Sequence, residues 1–388
     1  MYSPSKIELS KSALAKNIRF LRKEVGPRVK IASVVKGNAY GHGIEAFVPL
    51  AESCGIRTFA AFDAHEAYRT RACLREGSDV IIMGAVEGEA LEWAVENGIS
   101  FYVYELGRLR DCIEIARRVG KPARVHLEVE TGLNRTGLDS KTLVEVIDLV
   151  LASSDLVEVA GICTHYAGAE SIANYKRIQD QITLFDAQCT FIRSRGIGHG
   201  ARHTAASAAA MSYPETRMDM VRIGIAQYGM WPSKETELQY VMRNHKDSRR
   251  RYVDPLKRVL RWRSRIMSVK AVDRGEFVGY GNTYLTTRPQ RIAAVPIGYF
   301  HGFRRSLSNL GRVLVRGRRV GIVGTVNMNM ILVNVSELPT VEIGDEVVII
   351  GHQNKAQISV ASFSDMSNLL NYEALVRLPS EIPRIVVA

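Results

Sequence analysis

Short apolar runs alternate with longer amphipathic stretches from the N-terminus to Gly229. The apolar runs lie at 29–35, 58–62, 79–84, 100–104, 123–130, 157–164, 200–205 and 224–229. They are too short and too rich in β-branched residues for buried helices, so they predict strands. Between them, apolar residues recur at helical spacing, as at Leu14, Ile18, Leu21 and Val25 before Gly26.

Eight strand candidates separated by helical stretches predict a parallel (β/α)8 barrel of the TIM type. A doubly wound open sheet is the alternative fold for such a pattern. The count of eight favours the barrel over the open sheet.

The pattern changes after Pro232, where a charged stretch at 233–258 is followed by many apolar runs without helical spacers. Glycine and aspartate turns separate these runs, which is typical of an all-β domain. We therefore expect a barrel domain at 1–232, a basic insertion at 233–258 and a mainly β C-terminal domain at 259–388. A short helix is expected within 359–379, before a last strand.

Composition narrows the class of protein. The chain has 388 residues, 46% of them hydrophobic and 24% charged, which indicates a globular protein of two domains. The net charge of +12 is concentrated at 243–258, but without the interleaved aromatic residues of a nucleic-acid binder. We expect a solvated surface insertion there, no nucleic-acid partner and no membrane helix.

The number and spacing of the cysteines indicate the redox state of the compartment in which the protein is found. Five cysteines without a C-x-x-C pair do not fit a disulfide framework or a zinc site, and they favour a reducing cytoplasm. We expect no metal.

The segment SVVKGNAYGHG (33–43) carries the first chemical signal. Lys36 follows an apolar strand at the end where barrel enzymes place their reactive groups. Partial desolvation would lower the pKa of its amine and allow it to react with an aldehyde. On position alone, a surface lysine is an equally good interpretation.

VVKGNAYGHG resembles the lysine segment of the alanine racemases, which are fold type III enzymes that use pyridoxal 5'-phosphate (PLP). The resemblance implies that Lys36 holds PLP covalently and that Tyr40 contacts its phosphate. CTHYAG (163–168) resembles the segment whose histidine lies against the pyridine ring, which assigns that role to His165. Without the resemblance, His165 would be interpreted as a core residue.

The segment 206–229 resembles the phosphate-binding part of the same family, with Ser207 and Arg222 fifteen residues apart. The resemblance implies that Ser207 and the N–H groups of Gly224 and Ile225 hold the phosphate, and that Arg222 faces the pyridine nitrogen. Because arginine keeps its proton, that nitrogen would stay unprotonated and the ring would be a weaker electron sink. On position alone, Arg222 could form a salt bridge at the barrel rim.

FVGYGNTY (277–284) resembles the family segment that carries a second catalytic base, here Tyr280. Racemisation removes a proton on one face of Cα and delivers one on the other, so two opposed groups suit it. Lys36 would serve one face and Tyr280 the other. In the family this tyrosine reaches the partner subunit's site, which implies a homodimer with composite active sites. On position alone, Tyr280 would be interpreted as a packing residue of a β-rich segment.

Further matches complete the implied site. Arg135, Tyr299 and Met328 match residues on the substrate side, and Tyr372 matches a phosphate contact in the pocket wall.

Several positions depart from the family. Glu128 stands where many members have a carbamylated lysine, and we expect it to orient Arg135. The other departures are Asn134, Ala206, His301, Asn327 and Asn329. They leave the reaction type unchanged and the substrate side chain open.

The sequence therefore predicts a cytoplasmic PLP-dependent isomerase that interconverts L- and D-alanine, in a pathway of D-alanine biosynthesis. A racemase of broad or basic amino-acid specificity is the near alternative. A non-catalytic PLP-binding protein would lack the β domain and its tyrosine. A decarboxylase of the same fold type would carry a glycine-rich phosphate loop and a β-domain cysteine, which are not evident in the sequence.

Overall fold

The computed structural model describes residues 3–198, 200–244, 252–365 and 371–388. The chain forms two compact units. The first, which we call the barrel unit, comprises Ala13–Lys36 and Val48–Lys257. The second, the β unit, comprises Met1–Ser12, Gly37–Phe47 and Arg258–Ala388.

The strands are short. In chain order they are β1 (Lys6–Ser10), β2 (Lys30–Val34), β3 (Thr58–Ala61), β4 (Asp79–Ile82), β5 (Ser100–Val103), β6 (Ala123–Glu128), β7 (Val157–Cys163), β8 (Ala201–His203), β9 (Met220–Ile223), β10 (Leu260–Arg265), β11 (Ser268–Val272), β12 (Gln290–Val295), β13 (Arg312–Val315), β14 (Arg318–Gly321), β15 (Ile331–Asn334), β16 (Glu346–Gln353), β17 (Ala356–Ile358) and β18 (Arg384–Val387).

Helices follow most strands of the barrel unit, and two more of the described helices lie near the end of the β unit. They are Lys11–Val25, Ile44–Ser53, Ala64–Ala72, Gly88–Glu96, Leu106–Val119, Ser140–Ala152, Tyr175–Ser194, Ser207–Ser212, Lys234–Asn244, Val360–Asp365 and Asn371–Val376, with 3-10 turns at Ile172–Asn174, Pro214–Thr216, Tyr299–His301 and Arg305–Leu307.

Eight parallel strands form the barrel in the order β8-β7-β6-β5-β4-β3-β2-β9. Strands β8 and β9 meet through Asp219 N–H, which donates to the Arg202 carbonyl at 3.2 Å, and through a parallel bridge between Ala206 and Arg222. Apolar strand residues such as Phe59 and Phe101 are fully buried. The barrel expected from the sequence is confirmed, and the open sheet is excluded.

The last strand of the barrel, β9, differs from the prediction, because the sequence pattern placed the eighth barrel strand at 224–229. The strand is Met220–Ile223, and the following residues form turns closed by Gln227 N–H to the Gly224 carbonyl at 3.1 Å. Ile225 and Tyr228 are buried in these turns. Periodicity cannot separate a short buried turn from a short buried strand, because both are continuous apolar runs.

The β unit contains two sheets. One has the order β14-β13-β16-β10-β1-β18, with β17 paired to β16, and the other has the order β11-β12-β15. Strand β1 runs antiparallel to β10 and parallel to β18. Ile7 and Leu9 of β1 are fully buried, so the start of the chain lies in the β unit. The mainly β character expected of the C-terminal part is confirmed.

The basic insertion is only partly described, since 245–251 lie outside the described residues. Before them, Arg243 pairs with Glu24 at 2.9 Å and donates to the Met211 carbonyl at 3.0 Å. Among the described helices, none is long and apolar enough to cross a membrane. All five cysteines lie among the described residues, and none of them is in a disulfide.

Candidate active site

Lys36 lies two residues after the end of β2, at the carboxyl end of the barrel. The end of that strand is held by two buried donors, Gln227 Nε2 and Tyr228 Oη, which bond to the Val34 carbonyl at 3.0 and 2.9 Å. Ser33 Oγ in turn donates to Gln227 Oε1 at 2.7 Å. The backbone that carries Lys36 is therefore fixed by side chains from the turns after β9, which sequence reasoning did not single out.

The surroundings of Lys36 lower the pKa of its amine. Its side chain reaches solvent at the barrel mouth, yet enough protein surrounds the amine for burial to lower its pKa. The positive charges of Arg135 and Arg222 lower the pKa further, and Glu66 opposes them. A lysine in such surroundings is suited to act as a base or a nucleophile.

Arg222, in β9, is 4% exposed and is held on several sides. Its Nη1 donates to His203 Nδ1 at 2.8 Å and to the His203 carbonyl at 2.5 Å. Its Nη2 donates to the carbonyls of Thr164 and Thr204 at 2.8 and 3.0 Å, with His165 Nδ1 at 3.4 Å. These bonds leave the Nε–H, which bonds to none of the described residues, as the donor for a ligand.

His165 follows β7 and lies beside this guanidinium. Burial, and then the charges of Arg222, Arg135 and Lys36, lower its pKa to about 3. The ring is therefore neutral near pH 7. Gln181 holds the segment, since its Nε2 donates to the His165 carbonyl at 3.4 Å and its Oε1 accepts from Ala167 N–H at 2.9 Å.

Two predicted phosphate ligands meet in the barrel unit. Ser207 Oγ accepts a hydrogen bond from Gly224 N–H at 2.9 Å, although the residues are far apart in sequence. Ile225, also predicted to bind phosphate, is buried in the next turn. A hydroxyl and backbone N–H groups in the loops after the last strands are a common phosphate cradle in barrels.

Arg135 lies on a tight loop after β6. The Glu130 carboxylate accepts N–H bonds from Gly132, Leu133 (2.8 Å) and Asn134 (2.9 Å). The loop closes where Leu138 N–H donates to the Glu128 carbonyl at 2.8 Å. The loop thus presents an exposed Arg135 on a defined backbone, and the sequence pattern did not reveal the part played by Glu130.

Glu128 ends β6 and is 4% exposed. Burial raises the pKa of its carboxyl, while a hydrogen bond from Thr136 and the charges of Arg222 and Arg135 oppose the rise. Its Oε2 has no hydrogen-bond partner among the described residues. A buried oxygen without a partner is costly, and the nearby cations compensate for part of that cost.

The predicted tyrosines of the phosphate pocket lie together in the β unit. Residues Gly37, Asn38 and Ala39 have φ of 63°, 53° and 54°, a left-handed turn. The Tyr40 ring lies 6.0 Å from the Tyr372 ring, centroid to centroid. Gly41 allows this approach, because a Cβ there would stand 1.9 Å from the Leu375 carbonyl oxygen.

Tyr280 occupies an exposed turn of the β unit. The flanking Gly279 and Gly281 both have φ of 79°, a conformation that favours glycine. Thr325 Oγ1 donates to the Tyr280 carbonyl at 2.9 Å, which holds the backbone, while the side chain is 73% exposed.

The other predicted substrate-side residues of the β unit, Tyr299 and Met328, are also exposed. The segments that carry them are joined by a backbone bond, in which Tyr299 N–H donates to the carbonyl of Asn327, the residue before Met328, at 3.0 Å.

Comparison with known proteins decides the family. Residues 9–232 match the model of the alanine racemase N-terminal domain, and 259–386 match that of the C-terminal domain. The chain belongs to the alanine racemase family. Among relatives of this family, the alanine racemase of Desulforamulus reducens is 34% identical and matches over the full length of both chains. That of Leptospira interrogans is 32% identical over 98% of this chain and 95% of the relative.

Solved alanine racemases share the fold. The enzyme from a D-cycloserine-producing Streptomyces lavendulae superposes with a TM-score of 0.88 at 29% identity, covering 100% of this chain and 98% of the other. The Bartonella henselae enzyme, whose structure contains covalently bound pyridoxal phosphate, gives a TM-score of 0.81 at 26% identity over both full chains. The expected fold, family and PLP dependence are therefore confirmed.

Proposed function

We propose that this protein interconverts L- and D-alanine with PLP as cofactor. The observation that carries the proposal is the position of Lys36, whose pKa is lowered, on the same barrel unit as buried Arg222 and half-buried His165. The chain matches both domains of the alanine racemase family, and the chemistry of that family suits this arrangement.

The residues of the barrel unit fit PLP. Arg222 keeps one donor, Nε–H, for the pyridine nitrogen, and neutral His165 offers a flat ring beside it. Ser207, Gly224 and Ile225 would hold the phosphate. Bound PLP would supply the aldehyde that takes up the amino acid and the conjugated ring that makes its Cα acidic.

Two bases divide the proton transfer. The Lys36 amine, whose pKa is lowered by its surroundings, takes or returns the Cα proton on one face. The Tyr280 phenol does so on the other. Arg135, Tyr299 and the Met328 N–H orient the substrate carboxylate. Arg222 retains its proton throughout, so the ring nitrogen would stay unprotonated and the ring would be a weaker electron sink, which disfavours the side reactions of a long-lived carbanion.

A homodimer with composite sites supplies Tyr280 to the barrel of the second copy. Tyr280 is 73% exposed, and the neighbouring segments expose Phe277, Phe300 and Met328 as well. Clustered exposed apolar groups are typical of protein–protein contact surfaces. Five cysteines outside disulfides agree with a cytoplasmic location.

The test is chiral chromatography after PLP-loaded protein is incubated with single L-amino acids. L-Alanine is expected to convert to a mixture that approaches equal amounts of both enantiomers. Protein that holds PLP and converts none of the amino acids would overturn the proposal.

Asn327, Asn329 and His301 favour a second candidate, a racemase of broader specificity, because they change polarity near Tyr299 and Met328. The same incubations separate the two candidates. Rapid conversion of lysine, arginine or serine relative to alanine would assign these residues to specificity.

A further inference from the structure

A chain of buried polar side chains crosses the barrel interior from Arg222. Arg222 Nη1 lies 2.8 Å from His203 Nδ1, and His203 Nε2 lies 2.8 Å from His126 Nδ1. His126 Nε2 lies 3.2 Å from Ser100 Oγ, which donates to the Val80 carbonyl at 3.2 Å. Both histidines and Ser100 are buried.

The direction of every bond follows from its two ends. Arginine has only donors, so His203 Nδ1 must accept. A neutral His203 then carries its hydrogen on Nε2 and donates it to His126 Nδ1. His126 must in turn carry hydrogen on Nε2 and donate to Ser100, whose own hydrogen goes to a carbonyl that can only accept.

We propose that Ser100, His126 and His203 form a one-way hydrogen-bond chain that positions Arg222, with both histidines held as the neutral Nε2–H tautomer. The chain ends on a backbone carbonyl, and its neutral histidines are far weaker bases than the guanidine that would remain if Arg222 lost its proton. Its consequence for catalysis rests on the proposed function, whereas the tautomers do not.

The barrel is built to admit this chain. A Cβ on Gly161, in β7, would lie 2.2 Å from His126 Nδ1, so glycine is needed for the two histidines to meet. The Tyr102 ring lies 6.0 Å from the His126 ring and 5.9 Å from the His203 ring, which limits their rotation. The rings of His126 and His203 are 4.9 Å apart at 76°.

The surroundings oppose a charge on either histidine. Burial, followed by the charges of Arg124 and Arg222, lowers the pKa of His126 to about 3. Burial, His126 and Arg222 lower that of His203 well below its usual value. The other titratable groups that face the cluster are Tyr102 on β5, Glu128 on β6 and Cys163 on β7.

The test is nitrogen-15 NMR of apoprotein labelled at histidine, from pH 5.5 to 8.5. His126→Asn and His203→Asn assign the two signals, and His352→Asn at an exposed position is the control. Both histidines are expected to show hydrogen on Nε2 only, with no change over this pH range. Hydrogen on Nδ1 of either, or titration of either, would overturn the proposal.

Ser100→Ala tests whether the groups act as a chain. Loss of the last acceptor is expected to shift the Nε2–H signals of both His126 and His203, because bonds in a chain polarise one another. Ser78→Ala, a matched change of a buried serine bonded to Glu52, is expected to shift neither. An unchanged His203 signal in Ser100→Ala protein would refute the chain.

A kinetic experiment addresses positioning. In the loaded enzyme, His203→Asn is expected to lower kcat about tenfold with little change in KM, because it keeps an acceptor near Arg222 but breaks the link to His126. An unchanged kcat would remove the positioning role. Because the tautomers are measured without substrate, they can hold even if alanine is not racemised.

Discussion

The two units hold their proposed active-site residues in opposite ways. In the barrel unit, Arg222 is 4% exposed and each of its Nη atoms bonds to acceptors of the same unit. Ser207 is also buried and bonded. In the β unit, Tyr280 and Met328 are 73% and 54% exposed. There the backbone is fixed while the side chains remain open to solvent.

This difference separates two requirements of the proposed chemistry. Charges and a cofactor must be held in a preorganised site of low dielectric, which the interior of a barrel provides. A group that acts on the opposite face of the substrate Cα must come from a protein surface outside the barrel interior. In the proposed homodimer, the barrel unit would complete its part of the site within one chain, and the exposed residues of the β unit would serve the second copy.

Lys36→Ala tests the barrel side most severely. Loss of the amine removes one base and the covalent link to PLP, so alanine racemisation is expected to fall by about 10⁴-fold or more. Lys30→Ala, at the opposite end of the same strand, is the control and should keep its activity. The measurement is racemisation followed by polarimetry. Substantial activity in the Lys36 variant would contradict the assignment.

Tyr280→Phe tests the β side. The variant should still bind PLP but lose about 10²- to 10³-fold in turnover, because it lacks one proton-transfer group. Exchange of the Cα proton with deuterated solvent is expected to be lost selectively from one enantiomer. Tyr68→Phe, an exposed tyrosine of the barrel unit, is the control. Equal loss of exchange from both enantiomers would argue against a role on one face.

Mixing the two inactive proteins sharpens the comparison. If Tyr280 serves the barrel of the second copy, a dimer of one Lys36→Ala and one Tyr280→Phe chain has one intact site. Random exchange of subunits should then restore about a quarter of the wild-type activity. No recovery, with exchange verified by native mass spectrometry, would place both groups in the site of one chain.

Acid stability probes the barrel interior. The pKa of His126 falls from 6.5 to about 3 on folding, so the unfolded chain binds more protons below pH 6.5. The contribution of neutral His126 to the free energy of unfolding is therefore complete above pH 6.5 and is lost as the pH falls toward 3. Each pH unit in this window removes about 1.4 kcal/mol per buried histidine. Urea unfolding at pH 7 and 5 measures the loss, which His126→Asn should reduce and His352→Asn should not.

Glu128→Gln tests the smallest expected effect. The amide keeps the size of the side chain but cannot carry the negative charge that Arg135 and Arg222 favour at this position. We expect kcat/KM for alanine to fall about tenfold with little change in unfolding temperature. Glu87→Gln at an exposed helix start is the control. Unchanged kinetics would show that Glu128 does not orient Arg135.

The segments around Lys36, His165 and Arg222 were evident in the sequence because chemistry concentrates at strand ends and these segments follow one another in a recognisable order. The contributions of Gln227, His203 and Glu130 were not. Each acts on a residue from another strand or loop, and periodicity carries no information about which side chains meet across a barrel.

By itself, the amino-acid sequence determined the alternation of strands and helices, the β-rich second half and the family, since these depend on local patterns and ordered segments. Tertiary structure alone decided that the eighth strand ends before Gly224, that β1 lies in the β unit, and that Arg222 is held by a buried histidine pair. These features depend on packing between distant segments, where one missing Cβ at Gly161 decides whether two rings can touch.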